Sequence, residues 1–451
     1  MSAALAVVLA AGQGTRMKSR TPKVLHRVAG KAMVDHVLAA ARAAGADRCI
    51  VIVGHEIERL REHFAGSDVE LVEQRPQLGT GHAVQQVLPQ LEAHRGEVLV
   101  LNGDAPLVDA RSLGELLERH HAARAQVTFL TALVDDAERL GRITSDGGRV
   151  RVVEWADATA EERAIREVNT GIYCFDSAWL SRELPLLQAS PAKGEYYLTD
   201  LIERAPQVER MLAEGGFALC IGVDTREKLA QAEREMQRRL RERWMAEGVT
   251  FLSPETVLLD VDCSLGQDTI VYPNTIMQRC TIGMGCIIGP GSRLEDTRIG
   301  NDCSIRESVV ESAVVEDEVQ IGPFCHLRPG SYIERGAKLG NYAEIKSSRI
   351  GRETQIHHFS YTGDAQVGQR VNIGAGTITC NYSSETGVKS ATIIGDDAST
   401  GSDTLLVAPV TLGAGAMTGS GAVVTHDVPP DTLVVGVPAR EVRKVRKAAR
   451  S

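Results

Sequence analysis

Apolar and polar positions follow two different patterns along the chain, and the change comes at about residue 260. The earlier part alternates short apolar runs, typical of buried strands, with stretches whose apolar residues recur at helical spacing. The runs are residues 5–9, 49–53 and 98–101, and the helical stretches include 33–44 and 80–87. Strands that alternate with helices predict an α/β domain whose sheet is mostly parallel and binds ligands at the carboxyl ends of its strands.

One long amphipathic helix is predicted between the two patterns. In residues 224–247 the apolar positions recur at steps of three and four, at Leu229, Ala232, Met236, Leu240 and Trp244. A helix of this length can join two domains.

Beyond Ile282 an apolar residue recurs at every sixth position, often followed by glycine. One register runs through Val315, Ile321, Leu327, Ile333, Leu339 and Ile345, and another through Ile394, Thr400, Leu406, Leu412, Thr418 and Val424. This hexapeptide repeat predicts a parallel β-helix, in which three units close one coil and the apolar residue points inward onto its equivalent in the next coil. The phase fails between Thr379 and Ile394, where residues 380–389 must leave the coil as a loop.

The composition allows an ordinary globular protein. The chain has 451 residues, 43% of them apolar and 24% charged, and its formal net charge is −9. This balance excludes a chain that is disordered throughout and gives no support to the binding of nucleic acid or an anionic membrane. The longest early apolar run, residues 3–11, is far shorter than the ~20 residues that cross a bilayer. We therefore expect a cytoplasmic protein with no nucleic acid or membrane partner.

The nine cysteines form no CxxC pair and are an odd number in a long chain. Reduced thiols are the expectation, and no zinc site is indicated.

A glycine-rich loop follows the first predicted strand and is flanked by two basic residues. Gly12 and Gly14 let the backbone approach phosphate oxygens, and Arg16 and Lys23 can neutralise them. The pattern matches neither the dinucleotide GxGxxG nor the Walker lysine motif. A turn that binds nothing is the alternative interpretation of the glycines alone, and the basic pair favours a phosphate site.

Two further segments belong to the same edge of the predicted sheet. Asp104 follows Asn102 and Gly103 at the end of a strand, where a carboxylate can hold Mg²⁺ against a phosphate or simply cap a turn. Residues 74–83, beginning with Gln74, offer amide and glycine contacts to a pyrimidine edge, or only the N-terminal cap of a helix.

Basic and polar residues also gather on adjacent coils of the predicted β-helix. Arg328 and Lys346 offer positive charge for a phosphate, and His358 is a candidate general base, since histidine is the side chain used most often in this role. Acetyl transfer to an amine needs such a base, because an ammonium cannot attack a thioester. In isolation His357 and His358 also fit solvated surface histidines, and the neighbouring basic residues favour catalysis.

The motifs of both halves resemble a known family. LAAGxGTRM with PKVL, QLGTGHA and the Gly-Asp pair are similar to those of sugar-nucleotide pyrophosphorylases. With the hexapeptide half, the whole chain resembles the bifunctional N-acetylglucosamine-1-phosphate uridyltransferases/glucosamine-1-phosphate acetyltransferases. The resemblance implies a Rossmann-like nucleotidyltransferase domain at 1–224, a linker helix at 225–248, and a left-handed parallel β-helix acetyltransferase domain with a C-terminal tail at 249–451.

The resemblance also implies the residues of a uridylyl-transfer site. Asp104 and Asp224 would hold Mg²⁺, with Asp224 where the family usually has asparagine, and Asn102 replaces a tyrosine that often contacts the base. Arg16 and Lys23 would act in catalysis. The other nucleotide-sugar contacts would be Leu9, Ala10, Ala11, Gly12, Lys23, Gln74, Gly79, Thr80, Asn102 and Gly103, with Gly141, Glu154 and Asn169 for the N-acetyl sugar.

For the acetyl-transfer site, His358 matches the catalytic base of the family, and His357 has no counterpart. The glucosamine-1-phosphate contacts would be Arg328, Lys346, Tyr361 and Asn372, and the acetyl-CoA contacts Ala375, Asn381, Tyr382, Ser402, Ser420 and Arg440. Ser420 replaces a common alanine. Gly436 replaces a distal arginine, so Arg440, or Arg443 and Lys444 after it, would contact the CoA phosphates, with a solvated basic tail as the alternative.

We therefore expect a two-reaction enzyme that makes UDP-N-acetylglucosamine from glucosamine-1-phosphate, acetyl-CoA and UTP through N-acetylglucosamine-1-phosphate. Uridylyl transfer needs no side-chain nucleophile, so direct in-line displacement at the α-phosphorus is predicted. Two alternatives remain: a nucleotidyltransferase whose β-helix serves only assembly or regulation, and a purely structural solenoid protein. Exposed flat faces of a left-handed β-helix usually pack against other copies, which predicts a homotrimer with shared acetyl-transfer sites.

Overall fold

The computed structural model describes residues 4–54, 57–135, 137, 140–146, 149–190, 194–213, 216, 218 and 221–445. Cys220 and the end of the predicted tail, 446–451, lie outside these ranges. The chain divides into two compact units, Met1–Met236 and Gln237–Ser451. The limits 1–224, 225–248 and 249–451 stay a prediction.

The first unit contains a nine-stranded sheet with helices on both faces. The strands of its main path are, in spatial order, Val208–Leu212, Val127–Leu133, Glu167–Asp176, Glu97–Asn102, Ala4–Ala10, Ala46–Val53 and Glu70–Glu73. Neighbours are parallel except Glu167–Asp176, which is antiparallel to both of its neighbours. The hairpin Arg142–Asp146/Arg149–Val153 extends the sheet from Glu167–Asp176, and a two-stranded ribbon, Arg27–Val28/Lys31–Ala32, lies apart. The predicted α/β class with a mostly parallel sheet is confirmed.

The central strand Ala4–Ala10 carries apolar residues on both faces of the sheet, because each face is covered by a buried cluster. Ala6 and Val8 face one buried cluster, and Leu5 and Val7 face the other. The α-helices of the unit are Met33–Ala43, Ile57–His63, Thr80–Gln85, Leu88–Ala93, Ala110–Ala123, Ala160–Arg163, Ser177–Glu183 and Asp200–Arg204, with 3₁₀ turns at Thr15–Met17, Lys23–Leu25 and Leu184–Leu186.

The long predicted helix extends over Arg226–Ala246. Ala232 packs into a buried cluster with Met17 and Val223, and Leu229 and Met236 lie against it. Glu233 accepts a hydrogen bond from the backbone N–H of Ala29 at 2.7 Å. The first half of the helix is therefore fixed to the rest of the first unit. No helix within the described ranges is long and apolar enough to span a membrane.

The second unit is a parallel β-helix whose short strands form three stacks. The first stack holds Thr250–Phe251, Ile270–Val271, Ile287–Ile288, Ser304–Ile305, Gln320–Ile321, the starts of Lys338–Lys346 and Gln355–Gly363, and Asn372–Ile373. The second stack holds Leu258–Leu259, Ile276–Gln278, Arg293–Glu295, Val309–Glu311, His326–Leu327, the ends of the two long strands, Ile378–Cys380, Leu405–Val407 and Val423–Val424. The third holds Ser264–Leu265, Thr281–Ile282, Arg298–Ile299, Val314–Val315, Tyr332–Ile333, Arg349–Ile350, Ala365–Val367, Thr392–Ile394 and Val410–Leu412.

Three further strands, Met417–Thr418, Thr432–Val435 and Arg440–Lys444, follow at the C-terminal end, and a 3₁₀ turn, Pro254–Thr256, lies near the start. The residues of the predicted hexapeptide register are buried and pair one coil apart, as Leu327 does with Ile345. Ile288 is fully buried, whereas its neighbour Ile287 is 38% exposed, which is the alternation that a strand requires. The predicted parallel β-helix is confirmed.

Small hydrogen-bond donors link successive coils of the β-helix. Thr269 Oγ1 donates to the carbonyl of Gly283 at 2.9 Å, and Cys286 Sγ donates to that of Gly300 at 3.1 Å. The described cysteines are free thiols, and all except the partly exposed Cys380 are buried. The thiol of Cys286 therefore links two coils in the same way as the hydroxyl of Thr269.

The predicted loop leaves the coil where the repeat fails. Ile378 pairs with Leu405, beyond the loop, and Tyr382 pairs with Lys389 within it. The loop is thus a hairpin-like excursion between two regular coils.

Candidate active sites

The glycine loop after the strand Ala4–Ala10 holds Lys23 against the backbone. The chain turns at Gly14, whose φ of 61° favours glycine, and a Cβ there would lie 2.8 Å from the Cβ of Lys23. A Cβ on Gly12 would lie 3.8 Å from Lys23 Nζ. The ammonium of Lys23 therefore lies beside the exposed backbone of Gly12.

Each of two carboxylates at this edge of the sheet is paired with one of the predicted phosphate-binding cations. Lys23 Nζ donates to Asp104 Oδ2, and Arg16 Nη2 lies 2.8 Å from Asp224 Oδ2. The backbone N–H of Val223 donates to the carbonyl of Asp104 at 2.8 Å, so the segments that carry the two carboxylates are hydrogen-bonded neighbours. The Lys23 and Asp104 side chains are mostly buried, whereas that of Arg16 is 65% exposed.

The two carboxylates fit a divalent cation. Asp224 Oδ1 is buried, accepts no hydrogen bond from the described residues and lies 3.7 Å from Lys228 Nζ. A Cβ on Gly222 would lie 3.9 Å from both carboxylate oxygens of Asp104. Carboxylate oxygens are the ligands that Mg²⁺ prefers, and the ion usually takes one or two of them together with phosphate and water. In the part of the chain that is described, no cluster of three or more His, Cys, Asp or Glu could hold a metal. A site of this kind would therefore need the phosphates of a nucleotide to complete it.

A cavity of about 350 Å³ opens beside these residues. Its lining consists of Leu9, Ala11, Gly12, Lys23, Gln74, Gln77, Gly79, Thr80, Ala83, Asn102, Asp104 and Glu195. Apart from Gln77, Ala83 and Glu195, these are residues that the sequence predicts for the nucleotide. Ala10 and Gly103, which the sequence also predicts, do not line this cavity. Ala10 is buried at the end of its strand, and the N–H of Gly103 donates to the carbonyl of Leu9 at 2.9 Å.

Gln74 and Gly79 shape the wall of this cavity. Gln74 is buried, and its Nε2 donates to the carbonyl of Gly79 at 3.0 Å and lies 3.1 Å from His82 Nδ1. Gly79 has a φ of 99°, and a Cβ there would lie 2.7 Å from the carbonyl oxygen of Tyr196. Only glycine fits this position, because both the backbone conformation and the close approach exclude a side chain.

The three residues predicted for the N-acetyl sugar lie together. The N–H of Asn169 donates to the carbonyl of Gly141 at 2.9 Å, and a Cβ on Gly141 would lie 3.6 Å from Glu154 Oε1. Asn169 Nδ2 donates to the hydroxyl of Tyr173 at 2.6 Å. Burial raises the pKa of Tyr173, so the phenol stays neutral and orients the amide.

A second cavity of about 470 Å³ connects this group to the nucleotide cavity. It is lined by Gly79, Thr80, Glu154, Trp155, Ala156, Glu195 and Tyr197, and it shares Gly79, Thr80 and Glu195 with the first cavity. The two cavities therefore adjoin, as a nucleotide and a second substrate would require.

Sequence reasoning missed several residues of this region. Gln77 belongs to the predicted segment 74–83 but was not named as a contact, and its Nε2 donates to the carbonyl of Ala11. Thr199 was not predicted, and its hydroxyl donates to Glu154 Oε1 at 3.2 Å. Glu195 and Tyr197 line the second cavity. The only signal in the sequence was the polar and aromatic run Glu195-Tyr196-Tyr197 just before the helix Asp200–Arg204.

In the β-helix, Arg328, Lys346 and Tyr361 lie on successive coils of the second stack. Leu327 pairs with Ile345 and Glu344 pairs with Tyr361, which sets Arg328 and Lys346 one coil apart. Arg328 Nη1 donates to Glu344 Oε1 at 2.9 Å.

Lys389, which the sequence reasoning did not single out, joins this basic group from the excursion loop. Its ammonium lowers the pKa of Lys346, and Arg328 adds a smaller effect in the same direction. Asn381, at the start of the loop, is buried and donates to Asp364 Oδ2. The group therefore holds three cations, Arg328, Lys346 and Lys389, against the carboxylates of Glu344 and Asp364, and a bound anion would relieve the repulsion between the two lysines.

His358 lies at the corner between the first and second stacks, and the predicted acetyl-CoA residues continue along that corner. The N–H of Gly376 donates to the carbonyl of Phe359 at 3.0 Å, that of Asp403 to Ala375 at 2.6 Å, and that of Gly421 to Ser402 at 2.8 Å. We call His358, Ala375, Ser402 and Ser420 with their neighbours the corner column; Ala375 is half-buried, and the other three are exposed. It places the predicted acyl donor contacts in a row that begins at the predicted base.

Three of the predicted acetyl-transfer residues lie apart from the basic group or at its edge. Asn372 is on the first stack, paired with Gln355, so it does not share the face of Arg328 and Lys346. Tyr382 is exposed on the loop, and Arg440 is exposed on the last strand.

Comparisons with known proteins cover the whole chain. A MobA-like NTP transferase domain matches residues 6–247, and the bacterial transferase hexapeptide family, of six repeats, matches residues 312–347. A bifunctional protein GlmU from Synechococcus sp. (strain CC9605) is 44% identical over 441 residues, which cover 97% of each chain. Those from Halalkalibacterium halodurans and Listeria welshimeri serovar 6b are 44% and 42% identical, and each alignment covers at least 95% of both chains.

The chain belongs to the GlmU family. GlmU proteins carry both a uridyltransferase and an acetyltransferase, which correspond to the two matched domains, and this chain is a bifunctional enzyme of that kind. GlmU activity implies small-molecule substrates, and hexapeptide repeats are associated with oligomers. Nucleotidyl transfer in such families is generally metal-dependent.

Proposed function

We propose that the chain makes UDP-N-acetylglucosamine in two steps, acetylation in the β-helix at 249–451 and uridylyl transfer in the domain at 1–224. The observation that carries the second step is the pair of adjoining cavities in the first unit. One is lined by Lys23, Asp104 and the glycine loop, and the other by Glu154. This is the arrangement that a nucleoside triphosphate and a sugar phosphate need in order to meet.

In uridylyl transfer, a phosphate oxygen of N-acetylglucosamine-1-phosphate attacks the α-phosphorus of UTP, and pyrophosphate leaves. The reactants are both anions, so Arg16 and Lys23 act by neutralising and aligning them. Gln74, Gly79 and Thr80 hold the uridine end. The reaction is a direct displacement without a covalent enzyme intermediate.

Asp104 and Asp224 hold Mg²⁺ in this proposal. When bound, Mg²⁺ would neutralise negative charge on the phosphates. Lys23 and Arg16 pair with these carboxylates, so each cation lies next to the place proposed for the phosphates.

In acetyl transfer, His358 takes a proton from the amine of glucosamine-1-phosphate, and the neutral amine attacks the thioester of acetyl-CoA. Arg328, Lys346, Tyr361 and Asn372 hold the sugar phosphate. The CoA lies along Ala375, Asn381, Tyr382, Ser402 and Ser420, with Arg440 at its phosphates. The corner column supports this assignment, since it starts at His358 and runs in one direction.

We further propose that the enzyme is a cytoplasmic homotrimer whose acetyl-transfer sites lie between subunits. The position of Asn372 on a different stack from Arg328 supports a site completed by another copy. An exposed aromatic row supports the same conclusion: Phe324, Tyr342 and Phe359 are 49%, 59% and 72% exposed, and the rings of Phe324 and Tyr342 stack at 5.3 Å.

The two half-reactions test the proposal separately. Pyrophosphate release is measured with UTP, Mg²⁺ and N-acetylglucosamine-1-phosphate, and free CoA thiol is measured with acetyl-CoA and glucosamine-1-phosphate. We expect Lys23→Ala to reduce the first rate about a hundredfold and to leave the second unchanged, because one preorganised cation is lost. Lys23→Arg is the matched control that keeps the charge. Equal loss of both rates, or none, would contradict the assignment.

A further inference from the structure

Trp155 lines the second cavity of the first unit and has no part in the function proposed so far. The cavity measures about 470 Å³, and its walls combine Trp155 and Tyr197 with the carboxylates of Glu154 and Glu195. Such a mixture of aromatic surface and hydrogen-bond acceptors is typical of sites that bind polar ligands with apolar faces.

Trp155 is placed at the cavity by a turn. The turn follows the strand Arg149–Val153 and is closed by a hydrogen bond of 2.9 Å from the N–H of Asp157 to the carbonyl of Glu154. The chain has three tryptophans, and Trp179 and Trp244 are each only 4% exposed. Trp155 is partly exposed and is the tryptophan that faces a cavity.

Two guanidinium groups hold the indole ring in place. Arg142 Cζ lies 4.9 Å and Arg163 Cζ lies 4.6 Å from the centroid of the Trp155 ring. Arg163 Nη2 also donates to the carbonyl of Trp155 at 3.3 Å. Cation–π contacts of this length fix the ring as well as attract it.

Arg142 is itself fixed by the backbone on two sides. It is 2% exposed, its Nη1 donates to the carbonyls of Ala137, at 3.1 Å, and Leu140, and its Nε donates to that of Arg163 at 3.4 Å. The short helix that carries Arg163 is closed by a capping box at its first residues. The indole is therefore preorganised before any ligand arrives, which lowers the entropy cost of binding.

We propose that Trp155 determines specificity for the acceptor of uridylyl transfer by stacking against the ring of a hexopyranose 1-phosphate. The inference rests on the proposed function, which places the sugar in this cavity. A pyranose presents C–H groups on its faces and hydroxyl groups at its edge. The indole contacts the former, and Glu154 and Glu195 accept hydrogen bonds from the latter.

Steady-state kinetics of Trp155→Ala and Trp155→Phe test the proposal. We expect the alanine variant to raise KM for N-acetylglucosamine-1-phosphate about tenfold, because an aromatic contact is lost, and to leave KM for UTP within about twofold. The phenylalanine variant keeps an aromatic surface and should stay within about threefold of the wild type. The unchanged KM for UTP is the control for the folding of the first unit, and acetyl transfer by the same preparations, which should be unchanged, controls for the amount of intact protein.

Tryptophan fluorescence gives a second measurement that does not depend on turnover. UDP-N-acetylglucosamine should change the emission of the wild type and not that of Trp155→Phe, whereas UDP, which lacks the sugar, should change neither. An equal change with UDP would overturn the proposal, because the ring would then respond to the nucleotide.

The outcomes separate this inference from the proposed function. If the wild type releases no pyrophosphate from UTP with the sugar phosphate, the proposed function fails. If the wild type is active and Trp155→Ala keeps its KM for the sugar phosphate, or raises KM for UTP to the same degree, only the role of Trp155 is overturned.

Discussion

Arg16 Nη2 lies 2.8 Å from Asp224 Oδ2, so a proposed phosphate-binding cation and a proposed metal ligand neutralise each other in the unliganded chain. Asp224 is only 20% exposed, and its Oδ1 accepts no hydrogen bond from the described residues. Lys23 and Asp104 form the equivalent pair. Lys228 Nζ also lies 3.7 Å from Asp224 Oδ1, so three cations surround the two carboxylates. The proposed binding of phosphates and Mg²⁺ requires these pairs to open.

Asp224→Asn should weaken Mg²⁺ binding and preserve catalysis. The amide keeps an oxygen ligand, so the rate at saturating Mg²⁺ should stay within about threefold of the wild type. The loss of one negative charge should raise the half-saturating Mg²⁺ concentration about tenfold. Pyrophosphate release as a function of Mg²⁺ concentration measures both. Asp224→Ala, which removes the oxygen, should lose activity that high Mg²⁺ does not restore. Unchanged Mg²⁺ dependence in both variants would remove Asp224 from the metal site.

His358→Ala should reduce acetyl transfer by about a hundredfold or more, because general-base catalysis is lost, and leave uridylyl transfer unchanged. The neighbour His357 provides a matched control, since its Nε2 lies 2.8 Å from Gln355 Oε1 and no role is proposed for it. His357→Ala should stay within about twofold. Full acetyl transfer by His358→Ala would revive the view of the solenoid as an assembly module.

Lys389→Met should move the alkaline limb of the acetyl-transfer pH profile to higher pH. The proposed role of Lys346 requires its charged form, and Lys389 lowers the pKa of Lys346, so this form is lost at a lower pH than for an ordinary lysine. Removal of the Lys389 charge raises the pKa of Lys346 again. The profile of kcat/KM reports the free enzyme and is the appropriate measurement. Lys389→Arg should keep the limb in place, and identical limbs in the wild type and Lys389→Met would contradict the coupling.

Phe359→Lys should dissociate the proposed trimer. The ring is 72% exposed and belongs to the aromatic row on the β-helix, so a charge there would have to be desolvated in an interface. Light scattering should give the mass of a monomer for this variant and of a trimer for the wild type. Leu186→Lys, at an apolar residue of the first unit that is 59% exposed, is the control and should remain trimeric. A monomeric wild type would refute the assembly directly.

The β-helix could be predicted closely because its pattern is repeated. Each inward residue, such as Ile345, occupies the same environment as its equivalents one coil away, so a single register in the sequence fixes many pairings at once. The interruption of that register was equally informative, and the structure has the predicted loop there.

In the uridylyl-transfer site, the sequence allowed prediction of those residues that belong to local motifs. Lys23, Gln74 and Asp104 follow strands or glycine turns, where the sheet itself brings them together. Glu195 and Lys389 reach their sites from distant segments through tertiary contacts, and nothing in their immediate sequence indicates where those segments fold.

The burial of the Arg142 side chain also could not be predicted from the sequence. Nothing in the sequence marks Arg142 as buried, since arginine side chains mostly lie on the solvated surface. In the structure it is 2% exposed because backbone carbonyls, including those of Ala137 and Arg163, satisfy its donors. Only the folded backbone provides those partners.

The most direct test of the whole account is to incubate the wild-type protein with glucosamine-1-phosphate, acetyl-CoA, UTP and Mg²⁺, omit each component in turn, and identify the sugar nucleotide by mass spectrometry. We predict UDP-N-acetylglucosamine in the complete mixture. Without acetyl-CoA, only added N-acetylglucosamine-1-phosphate should restore it, and without UTP the acetylated sugar phosphate should accumulate. Formation of a uridine nucleotide with no acetylation in the complete mixture would contradict the account.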